Sequence, residues 1–152
     1  MTNGEIAALL RKVSAAYQIR NENRFKIIAY DRAADSIEHL TKPLRDIQEE
    51  GKLEEIPGVG RGIADSLDEL LRTGRVRHFE EELGKVPEAV YPLLLVPGLG
   101  PKKAYRLVHE LGLSSAKTAV SDLKKAVQGG RVASLEGFGE RSEEVILSAI
   151  DA

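Results

Sequence analysis

The sequence has no cysteine and no tryptophan, one methionine, and only three phenylalanines and four tyrosines in 152 residues. Without cysteine there can be neither a disulfide framework nor cysteine-ligated zinc. Aromatic residues make up 5% of the chain, which favours aliphatic helix packing over a sandwich of aromatic-rich strands. No run approaches the roughly 18 apolar residues of a membrane span. Residues 1–20 do not read as a signal peptide, because Glu5, Arg11 and Lys12 interrupt the apolar positions. A strong positive charge is also missing: the net charge is −2. Overall charge therefore gives no support for a nucleic-acid partner, and any such contact must come from local geometry and a local basic face.

What is present suffices for a folded core. Hydrophobic residues are 42% and charged residues 30% of the chain, enough for one ordinary domain or two small ones with a well-solvated surface. Apolar residues recur at helical spacing almost throughout. Ile6, Leu9, Leu10, Val13 and Tyr17 define one face of a first helix, and Phe25, Ile28, Ala29, Ala33, Ile37 and Leu40 a stripe on a second. Pro43 suits the first turn of a short third helix with Thr41 as its N-cap. Ile63, Leu67, Leu70 and Leu71 mark a helix that should stop at Thr73-Gly74. Val76, Phe79 and Leu83 suggest another short one, and residues 88–95, 102–111, 115–128 and 140–150 read as helical. No segment reads as a strand, so the expected fold is all-α. A boundary near Gly84-Lys85-Val86-Pro87 divides the chain into an N-terminal helical domain, 1–84, and a second helical domain, 85–152.

One pattern recurs three times. Ile56-Pro57-Gly58-Val59-Gly60, Val96-Pro97-Gly98-Leu99-Gly100 and Leu135-Glu136-Gly137-Phe138-Gly139 each precede an amphipathic segment, and their lead glycines are 40 and 39 residues apart. Each copy reads as aliphatic, turn, Gly, aliphatic, Gly and helix, which is the pattern of a helix-hairpin-helix motif. Glycine permits a sharp turn and close approach of the backbone to a ligand. The helix that follows presents unsatisfied N–H groups and the positive end of its dipole, where a phosphate is both hydrogen-bonded and attracted. Contacts of this kind position nucleic acid without reading bases.

The nearby side chains divide the copies. The first has Arg61, with Arg72, Arg75 and Arg77 after its helix; the second has Lys102, Lys103 and Arg106. The third sets Glu136, Glu140, Glu143 and Glu144 against Arg141, so it reads as structural and the first two as DNA-binding. Candidate DNA-binding residues are thus Gly58, Val59, Gly60, Arg61, Gly98, Leu99, Gly100, Lys102, Lys103 and Arg106. The alternative is that all three are merely tight helix–helix turns. A Rossmann site is excluded, since no strand precedes the glycines and no GxGxxG is present. Lys26 and Tyr30, four apart on the second helix, are neighbours; they read either as a solvated face with Tyr30 half in the core or as holders of a terminal phosphate.

Asn23-Arg24-Phe25, Ala29-Tyr30-Asp31-Arg32-Ala33-Ala34, the first hairpin, Leu71-Arg72-Thr73-Gly74-Arg75-Val76 and Val96-Pro97-Gly98-Leu99-Gly100-Pro101-Lys102 together resemble the N-terminal part of family X DNA polymerases, in order and spacing, over nearly the whole chain. The resemblance implies a first domain on the downstream, 5′-phosphorylated side of a DNA gap and a second on the primer strand. It implies a 5′-phosphate pocket at Lys26 and Tyr30. It also implies monovalent-cation sites, for Na⁺ or K⁺, at the backbone carbonyls of Glu54, Ile56 and Val59 and of Leu94, Val96 and Leu99. Two departures limit it. The lysine with which lyase-active relatives form a Schiff base is matched by Ser66, whose hydroxyl cannot form an imine, and a neighbouring phosphate-contacting lysine is matched by Gly62. No Asp-x-Asp pair stands on a strand, so two-metal nucleotidyl transfer has no visible ligands.

The expectation is therefore a non-catalytic, sequence-independent DNA-binding module for gapped, nicked or 5′-phosphorylated DNA in repair. It would be cytoplasmic and nucleoid-associated, with the DNA backbone and polymerase or repair proteins as partners and no membrane. The alternatives are an abasic-site (5′-deoxyribose phosphate) lyase working through another lysine such as Lys26, and a protein-interaction adaptor. A piece of a longer polymerase and a free-standing relative both remain open.

Overall fold

In the computed structural model, which describes residues 1–151, the described residues form nine α-helices and no strand. The chain divides into two compact units, Met1–Lys85 and Val86–Ala152. No helix is long and apolar enough to cross a membrane.

In the first unit, α1 (Asn3–Ile19) lies along α2 (Arg24–Glu38) and also meets α5 (Arg77–Leu83). Thr2 closes the N-terminus of α1 with a reciprocal capping box to Glu5, and Asn23 caps α2 through the Phe25 amide. The short α3 (Leu44–Glu49) begins one residue later than expected, with Pro43 itself at the cap. Thr41 does not cap it. Asn3 of α1 does so, its Oδ1 accepting from the Leu44 amide at 2.9 Å while its Nδ2 donates to the Lys42 carbonyl at 2.9 Å. A 3₁₀ turn (Leu53–Glu55) leads to the first hairpin and α4 (Arg61–Thr73), which stops at Gly74, in the left-handed conformation. The core joins Ile6, Leu10, Val13, Ile37, Leu67 and Phe79 with the hairpin aliphatics Ile56 and Val59. Burial of each large side chain contributes about 1.5–3 kcal/mol, and the turns are thus pinned by their own hydrophobic residues.

The second unit holds α6 (Val90–Leu93), α7 (Pro101–Leu111), α8 (Ala119–Gln128) and α9 (Glu140–Asp151). Its buried side chains include Leu93, Val96, Leu99, Leu107, Leu123, Val132 and Ile146. Helix α8 starts four residues later than its apolar pattern suggests. Ser115 Oγ accepts the Lys117 amide at 3.3 Å, a local side-chain turn that competes with helix at this point.

Candidate nucleic-acid interface

The three glycine motifs share one backbone turn. The amides of Val59, Leu99 and Phe138 donate to the carbonyls of Ile56, Val96 and Leu135 at 3.0, 3.1 and 3.0 Å. The central glycines Gly58, Gly98 and Gly137 have φ of 84°, 83° and 84°. This is the pattern of a type II turn, which favours proline at its second position and requires positive φ at its third. It explains the Pro-Gly pairs and shows why Glu136 can replace proline without loss of the turn. The second glycines act differently. Gly60 (φ −86°, ψ −178°) and Gly100 (φ −79°, ψ 172°) are extended N-cap residues, and a Cβ on either would meet nothing within 4 Å. They leave the start of the helix uncovered rather than supplying a special conformation.

Helices α4 and α7 carry no side-chain cap. The start of α4 thus lies open beside the exposed Arg61, and that of α7, where Pro101 has no N–H, beside the exposed Lys102 and Lys103. Among the described residues Arg61 and Lys103 make no ion pair. The flank of the first hairpin is not uniformly basic, however: Arg61 shares a hollow of about 410 Å³ with Glu54, Asp65 and Asp68.

Several arginines of the basic pattern are already paired. Arg72 meets Asp68 at 2.8 Å, Arg77 meets Glu81 at 3.5 Å, and Arg75 grips Glu80 through two nitrogens at 2.9 and 2.6 Å. These exposed pairs contribute little stability, but they cancel most of the positive charge in the last turn of α4, where Arg72 lies, and just after it. In the second unit the Arg106 guanidinium lies 5.2 Å from the centroid of the Phe138 ring, and its terminal nitrogen stands 2.9 Å from where a Cβ of Gly137 would be. Arg106 thus holds the third turn against α7.

The third copy is less repellent to anions than its acid count suggests. Glu143 turns inward, its Oε2 accepting the amides of Val132 and Ala133 at 3.1 and 2.9 Å. Glu143→Ala should cost about 1–3 kcal/mol by leaving two partly buried donors unsatisfied, whereas Glu143→Gln, which keeps an acceptor oxygen, should cost less. Thermal melts of the two variants would check this, equal losses counting against the carboxylate's role.

Lys26 and Tyr30 do come together, but differently from a simple phosphate pocket. Tyr30 is 8% exposed, set edge-on to Tyr17 and Phe79 with ring centroids 5.5 and 5.8 Å away, and burial pushes its phenol above the ordinary value. Lys26 stands over the Tyr17 ring, 5.7 Å from its centroid, with Glu22 at 3.9 Å. Ser66 is half-buried on α4.

Two features escaped the sequence. Ser36 Oγ donates to the Pro57 carbonyl at 2.6 Å, and a Cβ on Gly58 would stand 2.8 Å from Arg32 Cβ, so α2 buttresses the first turn. The spacing of Arg32 and Ser36 on α2 is the one signal that could have pointed to it. The cation ligands fall into two like sets. In each, one carbonyl (Ile56 or Val96) closes the turn, while those of Glu54 and Val59, and of Leu94 and Leu99, accept no hydrogen bond among the described residues. The described residues contain no cluster of three or more His, Asp or Glu that could hold a metal ion.

Comparison with known proteins agrees with this geometry. A family model described as "Helix-hairpin-helix domain" matches residues 1–76, and one described as "SAM-like Helix-hairpin-helix tandem" matches residues 91–152. The chain belongs to the helix-hairpin-helix family. It is also 33% identical, over 150 residues, to the DNA polymerase/3′-5′ exonuclease PolX of Bacillus subtilis (strain 168), covering 99% of this chain. The chain spans about a quarter of the length of that relative, 25%. The resemblance to the N-terminal region of family X polymerases is thereby borne out.

Proposed function

We propose that this helix-hairpin-helix chain is a sequence-independent DNA-binding module whose first two hairpins hold backbone phosphates, acting on gapped, nicked or 5′-phosphorylated DNA in repair. The observation that carries this reading is the pair of matched turns, each opening onto a helix start with no side-chain cap, beside a cation (Arg61 or Lys103) that makes no ion pair among the described residues. Backbone amides bind an anion whatever the bases, so a chain of net charge −2 can bind DNA through two small sites. Family membership and the polymerase relative support DNA as the partner.

The two carbonyl sets suit a monovalent cation such as Na⁺ or K⁺, because they offer uncharged oxygens with unused lone pairs. When bound, such an ion would add positive charge beside the turn. Leu94, Val96 and Leu99 would hold it at the second hairpin, Glu54, Ile56 and Val59 at the first. Lys26, more exposed than Tyr30, is the member of its pair able to reach a 5′-phosphate, with Tyr30 fixing the ring wall behind it. Ser66 removes the imine-forming nucleophile expected of a lyase, so the reading is one of binding rather than catalysis.

Fluorescence anisotropy with a labelled gapped duplex over a salt series tests the proposal. Affinity should fall steeply with salt, and Arg61→Ala and Lys103→Ala should each weaken binding for all sequences alike, reducing the slope of log K against log salt by about one. Absence of binding at low salt, or slopes unchanged in both variants, would sink the reading.

A further inference from the structure

Between the second and third hairpins, within the second unit, lies a groove of about 290 Å³. Leu99 and Lys103 form one side, and Phe138, Arg141, Ser142 and Val145 the other, with the buried Ile146 at the base. The volume is at the small end for ligand sites, the size of one base rather than an extended molecule. Its chemistry is mixed in a specific way. Leu99, Phe138, Val145 and Ile146 supply an apolar slot with one aromatic ring. Arg106 lies over that ring at 5.2 Å and is not part of the lining, so it fixes the ring and leaves the side toward the groove uncovered. Lys103 and Arg141 are exposed, make no ion pair among the described residues, and flank the slot together with the Ser142 hydroxyl. No carboxylate lines it: Glu143 is turned to the Val132 and Ala133 amides.

We propose that this groove receives one unpaired nucleotide of the bound DNA strand, its base in the apolar slot against Phe138 and its phosphates between Lys103, Arg141 and the start of α7. The inference rests on the DNA-binding reading above. The groove is continuous with the second turn, since Leu99 belongs to both, and a phosphate at α7 would bring the adjoining nucleotide to the slot's mouth. Aromatic and apolar walls with flanking cations are what an unstacked base and its charged backbone require, and such contacts tolerate any base.

The probe is a duplex carrying a single bulged 2-aminopurine, compared with the same duplex fully paired. The full chain should bind the bulged duplex about tenfold more tightly and change the probe's fluorescence on binding. Val145→Glu, at a side-chain position 55% exposed, and the exposed Arg141→Glu should each abolish the preference. No preference in the unaltered chain, or a preference retained in either variant, overturns the groove's role while DNA binding stands. Failure to bind either duplex overturns the DNA-binding reading and the groove with it.

Discussion

Alanine at Gly58 is expected to destabilise the chain by about 2–5 kcal/mol, and alanine at Gly98, its equivalent in the second hairpin, by only about 1–2 kcal/mol. Both glycines have nearly the same positive φ, 84° and 83°, so both substitutions carry the left-handed penalty. They differ in what surrounds the turn. A Cβ on Gly58 would come within 2.8 Å of Arg32 Cβ and 3.1 Å of the Ala33 amide nitrogen, whereas one on Gly98 would meet nothing within 4 Å. The neighbours at Gly58 include the backbone of α2, which cannot rotate aside as a side-chain end would. Gly58→Ala must therefore push the first turn away from α2, straining the 2.6 Å hydrogen bond from Ser36 to the Pro57 carbonyl. Denaturant unfolding followed by circular dichroism gives both differences. Equal costs would show that the contact with α2 yields easily. DNA affinity should follow the same order, because displacement of the turn moves the amides at the start of α4, whereas Gly98→Ala strains its turn without a neighbour to move it.

The contrast between these glycines marks where sequence reading succeeds and where it stops. Pro-Gly followed by an aliphatic and a second glycine is legible because a type II turn restricts its central residues so strongly, and the helix stop at Gly74 is legible for the same reason. Gly58 and Gly98 look identical in sequence because the difference lies in Arg32, 26 positions earlier. The start of α3 was misplaced on the same ground: its cap comes from Asn3, 41 residues away from Leu44. Charge was misjudged where partners are local but choose by geometry. Arg75 counts as a basic residue until Glu80 takes two of its three nitrogens, and Glu143 as a repulsive acid until its carboxylate turns to two amides. The motif residues were found, but the sign of the field around them depends on pairings that spacing leaves undetermined.

The largest single loss in the first unit is expected at Phe79, a residue outside every hairpin. Phe79 is 1% exposed and stands edge-on to Tyr30, which stands edge-on to Tyr17; the Tyr17 hydroxyl is in turn 3.2 Å from His78 Nε2. The three rings join α5 and α1 to α2, the helix that carries Lys26 and Tyr30 and buttresses the first turn. Phe79→Ala should cost about 3–5 kcal/mol, a large fraction of the about 5–15 kcal/mol that holds a typical domain together. Phe79→Leu fills most of the space and should lose less, chiefly the ring contact worth about 0.5–1.5 kcal/mol. The leucine variant is the more informative because it should stay folded while loosening the wall around Tyr30. Burial holds the Tyr30 phenol above its ordinary value. Water admitted beside the ring stabilises the charged phenolate, so the phenol should titrate at lower pH in Phe79→Leu than in the unaltered chain. Absorbance of tyrosinate during an alkaline titration, with Tyr30→Phe to assign the signal, measures that movement. A titration left in place would mean that the ring cluster closes around leucine and that Lys26 keeps its wall. A downward shift with weakened binding to 5′-phosphorylated gapped DNA would tie the candidate phosphate pocket to a core residue that never meets the ligand.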